Sequence, residues 1–348
     1  MTSSQASPEK LAVVLFNLGG PSKEADIRPF LFNFFMDRNI INVPVPLRFF
    51  IALWISWSRG RGAAKEAYHS LGGKSPLLEN TQAQAAALEK ALQKDNPAAR
   101  VFVSMRYWHP LAEQTVKDVA AFQPEKIILL PLYPQYSTTT SLSSLQSWEQ
   151  AARKAGLNLP TAKICCYPDN PGFISASATL IAAALKEAPK KVRVLFSAHG
   201  LPEKIIAGGD PYQHQCEQTV AAIVRQLNIP LLDLQLCYQS RIGPLKWIGP
   251  PILEALERVA DENIGTVVYP LAFVSEHVET LVELDKDYRE RAARMGISYF
   301  DRVPTVGTHP DFIEGLRGLV LSAAKGVGCG RVCPAVFGKC YQGGKNNG

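Results

Sequence analysis

No apolar run in this 348-residue chain approaches the ~18–20 residues of a membrane-spanning helix, which argues against an integral membrane protein. Cysteine is scarce: seven thiols, an odd number, are too few for a secreted disulfide framework and read as reduced thiols or metal ligands. Neither charge sign dominates, since 37 Lys and Arg against 31 Asp and Glu leave +6. That mild excess favours anionic ligands or surfaces and is far too weak to argue for nucleic acid. Several catalytic signatures are missing as well. Leu71-Gly-Gly-Lys-Ser-Pro76 lacks the spacing of a phosphate-binding loop, and Asn17-Leu-Gly-Gly-Pro21 lacks that of a dinucleotide fingerprint. No H-E-x-x-H zinc-protease motif and no G-x-S-x-G elbow is present. The polar segment Met1–Lys10 is followed by only six apolar residues, Leu11–Phe16, too few for a secretory core, so a cytoplasmic location is expected.

What the sequence does have is alternation. Strand-length apolar runs over 11–18, 100–106, 127–132, 161–166, 191–197, 232–238, 266–271 and 297–303 alternate with helical patterns. Those patterns cover 78–93, 111–121, 141–156, 171–186, 211–227, 250–261, 278–295 and 310–324. Asp210-Pro211 supplies a capping Asp and a first-turn Pro for one of the helices. Near-continuous apolar strands such as Lys126-Ile-Ile-Leu-Leu-Pro131 suit a parallel sheet covered on both faces. The alternation predicts a doubly wound α/β fold.

The two halves of the chain also look alike. Val13-Val-Leu-Phe-Asn-Leu-Gly-Gly-Pro21 pairs with Arg193-Val-Leu-Phe-Ser-Ala-His-Gly-Leu-Pro202, and Ile128-Leu-Leu-Pro-Leu-Tyr133 with Val267-Val-Tyr-Pro-Leu-Ala272. Two similar Rossmann-like domains are expected, over 11–160 and 161–322. Chance similarity between buried strands is the alternative. A frayed segment over 1–10 and a Gly- and Cys-rich extension over 323–348 flank the pair. The first half is longer by about 41 residues between the matched points, which predicts an insertion over about 28–75. Within it, Pro44–Trp57 is strongly apolar and is followed by Arg59 and Arg61. Such a segment is either a core helix or a greasy lip that touches a membrane surface or a large apolar ligand, its arginines at the level of headgroups or carboxylates. With enough core already present in this half, the lip is expected.

Four segments could carry chemistry. Ser197-Ala-His199-Gly follows a strand, so His199 stands at a strand's carboxyl end, where open α/β sheets form ligand crevices. A histidine there can take a proton near neutral pH or bind a metal. Ser275-Glu-His277-Val-Glu279-Thr-Leu-Val-Glu283-Leu-Asp-Lys-Asp287 opens the next helix. Its Glu279, Glu283 and Asp287 stack at i, i+4 and i+8, either as a solvated face or as a ladder for cations or protons. The hydroxyl-rich Pro131-Leu-Tyr-Pro-Gln-Tyr-Ser-Thr-Thr-Thr-Ser141 suits an anionic group or simply caps a helix. The extension holds Cys329, Cys333 and Cys340 among seven glycines. Three thiolates need a fourth ligand for zinc or an iron–sulfur cluster, drawn from Cys165, Cys166, Cys216 or Cys237. Adjacent strand residues face opposite ways, so only one of Cys165 and Cys166 is expected to serve.

Taken together, LFNLGGP, LGGKSPL, SMRYWHPL, LYPQYSTTTS, FSAHGLP, GDPYQHQ, YQSRIGPLKWIGP and SEHVETLVELD resemble the ferrochelatase family from Leu15 to about Gly318. The resemblance implies two Rossmann-like domains around a porphyrin cleft, covered by an apolar lip. It implies insertion of Fe2+, a substrate, into protoporphyrin IX. His199 resembles the family's catalytic histidine and Glu279 its acidic partner, both contacting iron or taking pyrrole protons, with Glu283 and Asp287 continuing an acidic path. Leu18, Arg59, Tyr68, Ser75, Arg106, Tyr107 and Trp247 resemble porphyrin-side residues. Leu18 stands where some members carry methionine, and Arg59 and Arg61 leave open which one meets a propionate. Some members hold a [2Fe–2S] cluster on a C-terminal extension. Cys329, Cys333 and Cys340 are similar, with Cys166 as the expected fourth ligand and Cys165 next. The expected partners are protoporphyrin IX, Fe2+ and a peripheral contact with the inner face of a membrane, with no nucleic acid, in a monomer or homodimer. Rival readings are a chelatase for coproporphyrin or another tetrapyrrole, and a haem or metal carrier without turnover.

Overall fold

The computed structural model describes residues 9–240, 245–327 and 332–342. Among these described residues the apolar runs form eight strands in two four-stranded sheets. The first comprises β1 (Leu11–Asn17), β2 (Arg100–Met105), β3 (Lys126–Pro131) and β4 (Thr161–Lys163), ordered β2-β1-β3-β4. The second comprises β5 (Val192–His199), β6 (Leu234–Gln239), β7 (Gly265–Pro270) and β8 (Phe300–Arg302), ordered β6-β5-β7-β8. Every pairing is parallel, and the same winding occurs twice. All residues of β1 and β7 are buried, as helices on both faces require.

β4 and β8 are shorter than the sequence pattern suggests. β4 was expected to reach 166, but its ladder with β3 covers only three residues. Ile164 still donates to the Leu129 carbonyl, and by Tyr167 the backbone donates to Pro134 in a loop. Cys165 and Cys166 therefore leave the sheet. The helix expected over 278–295 is also two pieces: a π-helix over Glu279–Tyr288, then an α-helix over Arg289–Arg294. Wide turns of this kind gather at functional sites.

The extra residues of the first half form α1 (Ile27–Phe35), α2 (Val45–Arg59) and α3 (Ala63–His69), ahead of α4 (Leu77–Leu92). Pro46 in the first turn of α2 costs no helical hydrogen bond. Inward, α2 presents only Arg48, Ala52 and Ser56, one stripe at i, i+4 and i+8. Outward go Phe50 and Trp54, 66% and 67% exposed, with Val45 and Leu47. Its large apolar side chains thus face away from the protein, as a lip's would and a core helix's would not.

One continuous apolar cluster joins Leu15 and Leu130 of the first sheet to Phe196 and Tyr269 of the second. Phe312 and Leu316 of the last helix, Pro310–Ala324, belong to the same cluster. That helix packs on both α4 and the helix Pro171–Glu187. The second crossing is close enough that a Cβ on Gly172 would lie 2.7 Å from the Gly315 Cα.

Candidate active site

His199 ends β5, at the carboxyl edge of the second sheet. Its Nδ1 lies 2.6 Å from the Gly200 carbonyl oxygen. Only a protonated Nδ1 can donate to a carbonyl, so in the neutral ring Nε2 keeps the free lone pair. That Nε2 faces Glu279 Oε2 at 3.9 Å, and the same oxygen stands 3.9 Å from Nε2 of His277. Among the described residues Glu279 Oε2 has no hydrogen-bond partner. Burial pushes the Glu279 carboxyl above the ordinary carboxylate range, His199 pulls it back, and Glu283 pushes it up further. Burial drops His277 to about 4, so its ring is neutral at cellular pH. A base, a carboxyl group and a neutral imidazole therefore converge on one point. At this spacing, no group of three or more His, Cys, Asp or Glu among the described residues is placed to hold a metal ion.

The wide helix is set from its first turn. Thr280 Oγ1 accepts from the His277 backbone N–H at 3.0 Å and donates to Glu276 at 2.6 Å. Glu276 in turn accepts from Arg302 at 2.7 Å and from the Thr305 backbone at 2.9 Å. The three acidic residues of this helix are not equivalent. Glu283 accepts from the Ser240 backbone at 3.0 Å, the Ser240 hydroxyl at 2.5 Å and Tyr288 at 3.1 Å, which ties it to the end of β6. Asp287 is exposed, its carboxyl raised by partial desolvation first and then by Glu290.

The first half supplies the facing wall. Leu18, Tyr68, Tyr107 and Trp108 form one apolar cluster with Phe30 and Leu31, and Val278 joins it from the second half. Tyr68 is buried beside Glu279; desolvation and that charge both push its hydroxyl up. Ser75 packs against Gly20 so closely that a Cβ there would fall 2.6 Å from its hydroxyl, which interlocks the LGGP and GGKSP turns. Trp247 bridges to Pro202, in the loop that follows His199. Arg59 lies over the Phe35 ring at 5.8 Å, and Arg61 over Trp57 at 4.6 Å.

The ferrochelatase family profile matches residues 10–324, nearly the whole chain. This chain belongs to the ferrochelatase family. It is 48% identical over 342 residues to a ferrochelatase of Caulobacter vibrioides, covering 95% of this chain and 97% of that one. It is 50% identical over 316 residues to a ferrochelatase of Wolbachia sp. subsp. Drosophila simulans, covering 90% and 99%. Among solved structures, SirB from Bacillus subtilis with Fe3+ superposes with a TM-score of 0.54 at 14% identity, over 91% of this chain and 97% of that one. That likeness bears on the fold alone.

Two porphyrin-side candidates of this ferrochelatase-family chain are held by Asp37. Arg106 pairs with Asp37 at 3.0 Å and with Ser143 at 2.6 Å. Tyr107 donates its hydroxyl to Asp37 at 2.7 Å while its ring packs on Phe34. Asp37 was not legible as functional from its Met-Asp-Arg-Asn setting, yet its carboxylate joins the loop after α1 to the wall. Asp37 and Arg106 also line a cavity of about 1140 Å³, whose other walls include Arg38, Lys204 and Lys339. His277 was also missed as a site residue, although it lies in the same motif as Glu279.

The hydroxyl-rich loop after β3 does receive an anion, but that anion is the protein's own. Asp210 Oδ2 accepts from the Ser137 hydroxyl at 3.0 Å and from the Thr138 backbone and hydroxyl at 2.7 Å each. Nearby, the tail docks through Phe337 stacked on His214 and through Lys339, whose backbone N–H donates to Gly209. Gln215 Nε2 donates to Cys333 Sγ at 3.0 Å and lies 3.4 Å from Cys166 Sγ. Cys165 Sγ and Cys166 Sγ are 3.6 Å apart. The expectation that these neighbours face opposite ways fails because both lie past the end of β4, where strand alternation no longer holds. A hydrogen bond with Cys340, then burial, push the Cys333 thiol up, and Cys165 adds to this. Cys216 and Cys237 sit in the core with thiols raised by burial. Cys329 lies outside the described residues.

Proposed function

We infer that this chain inserts Fe2+ into protoporphyrin IX, releasing two protons, as the metallation step of haem synthesis. The observation that carries this is the convergence of His199 Nε2, His277 Nε2 and Glu279 Oε2 opposite the apolar wall of Leu18 and Tyr68. Metallation must remove pyrrole protons inside a cleft that excludes water. His199 presents Nε2 as the accepting base, and Glu279 stabilises the imidazolium that forms. An apolar wall suits the macrocycle, and a cleft that favours a distorted porphyrin exposes the nitrogen lone pairs. Purified protein given Zn2+ and porphyrin should convert protoporphyrin faster than coproporphyrin, followed by fluorescence. Binding without turnover would favour the carrier reading, and preference for coproporphyrin would favour the rival chelatase.

The finer readings rest on the lip and the tail. No helix among the described residues is long and apolar enough to cross a membrane. The outward face of α2, with Phe50 and Trp54 above Arg59 and Arg61, supports a peripheral contact with anionic lipid. Replacing Phe49, Phe50 and Trp54 with Ser should lower both liposome co-flotation and porphyrin affinity, because exposed apolar surface contributes roughly 25 cal/mol per Å² when covered. The melting temperature should hold. An unfolded triple variant would make the segment core.

Cys165 meets Cys166, Cys333 meets Cys340, and Gln215 stands between the two pairs, a set of thiols whose donor chemistry fits a [2Fe–2S] cluster. Cys333, Cys340 and Cys329 would hold it with Cys166 or Cys165, and one-electron redox chemistry is what such a group supplies when bound. Anaerobically purified protein should be reddish with about two irons and two sulfides per chain. Serine at Cys333 or Cys340 should remove the colour. Stoichiometric zinc in colourless protein would replace the cluster with a zinc site.

A further inference from the structure

We propose that Gln84, assisted by Asn80, is a positioning residue that sets the acid–base groups of the second half against the porphyrin wall of the first. The inference rests on the metallation reading. Gln84 lies on α4, a helix of the first half, and is completely buried. Its Nε2 donates to the Val274 carbonyl at 2.8 Å and to the Gly307 carbonyl at 2.9 Å. Its Oε1 accepts from the Ser275 hydroxyl at 2.7 Å. One turn earlier, Asn80 Nδ2 donates to the Glu276 carbonyl at 2.9 Å. Two side chains at i and i+4 thus grip three consecutive residues, Val274, Ser275 and Glu276, immediately before His277.

The same helix is tied to the porphyrin wall. Thr81 Oγ1 accepts from Asn17 Nδ2 at 3.0 Å, and Asn17 Oδ1 accepts from the Leu18 backbone at 2.8 Å. From Leu18 to His277 the connection therefore runs through one rigid element: Asn17 and Thr81, then Asn80 and Gln84, then the Val274–Glu276 loop. Glu276 is held in turn by Arg302 and Thr305, so the grip on the loop passes into the second sheet.

This geometry matters because the reacting groups belong to different halves. The wall that holds the macrocycle includes Leu18 and Tyr68, whereas His199, His277 and Glu279 come from the second half. Their separation decides how closely a base meets a pyrrole proton. A misplacement of ~1 Å in such a step can cost ~10²-fold in rate without weakening the binding of the reactant. Loss of the latch should therefore fall on kcat more than on KM for porphyrin.

The test uses the full-length protein with Zn2+ and protoporphyrin. Gln84→Met keeps the volume and removes every hydrogen bond; Asn80→Ala removes one; Ser275→Ala removes only the hydroxyl that Gln84 accepts. Gln84→Met should lower kcat by roughly tenfold or more with porphyrin KM within about twofold, Asn80→Ala less, and Ser275→Ala least. The double variant Gln84→Met with Ser275→Ala should be no worse than Gln84→Met alone, because the two share one bond. If Gln84→Met fails to fold, Asn80→Ala and Ser275→Ala decide by the same split between kcat and KM. Folded variants whose kcat stays within about twofold, with only a lower melting temperature, would overturn the inference. Wild-type protein that leaves porphyrin unmetallated would overturn the functional reading, and this one with it.

Discussion

Replacing His199 with alanine is expected to abolish metallation and leave the fold intact. The residue closes β5 at the sheet's edge and is about a third exposed, so its removal opens no core cavity. What is lost is Nε2, the one lone pair of that ring free to accept a proton, since Nδ1 is committed to the Gly200 carbonyl. A steady-state assay that retains more than about a tenth of the wild-type kcat, ~1.4 kcal/mol or less of barrier, would sink the assigned role.

Glu279→Gln should be nearly as damaging. The amide keeps the shape, but it presents no negative charge to the two imidazoles at 3.9 Å and cannot carry a proton. Glu283→Gln makes the informative comparison. Glu283 spends its oxygens on Ser240 and Tyr288, so the amide would set N–H against N–H or O–H there. A donor left unsatisfied costs roughly 1–3 kcal/mol, so the loss should show in thermal melting more than in kcat. A Glu279→Gln variant that keeps wild-type turnover would remove the carboxyl from the reaction and leave it a buried structural group.

Much of the architecture was legible because its signals are local. Apolar strand runs, the Asp210-Pro211 helix start and the near-repeat of LFNLGG and LFSAHG belong to single stretches of chain. They depend on burial pattern and turn chemistry, which a short window contains. β4 and β8 were overestimated because each pairs over only three residues, and composition does not show where a ladder stops. The tail thiols illustrate the consequence: with β4 ending at Lys163, alternation no longer governs Cys165 and Cys166.

The sequence by itself determined the doubly wound pair of sheets and the strand-end position of His199, since each follows from periodicity and connection along the chain; that α2 turns its apolar side chains outward was left open between core and lip until packing was seen. Only the tertiary structure decided which groups meet. Asp37 joins Arg106 across 69 positions, Asp210 reaches Ser137 across 73, and Gln84 reaches Val274 across 190. It also decided that Glu283 is tied down while Glu279 faces two imidazoles, although both carboxylates stand one turn apart in the same motif. The reason is that a polar side chain's role depends on the partner that satisfies it once water is excluded, and these partners come from distant segments brought together only by packing.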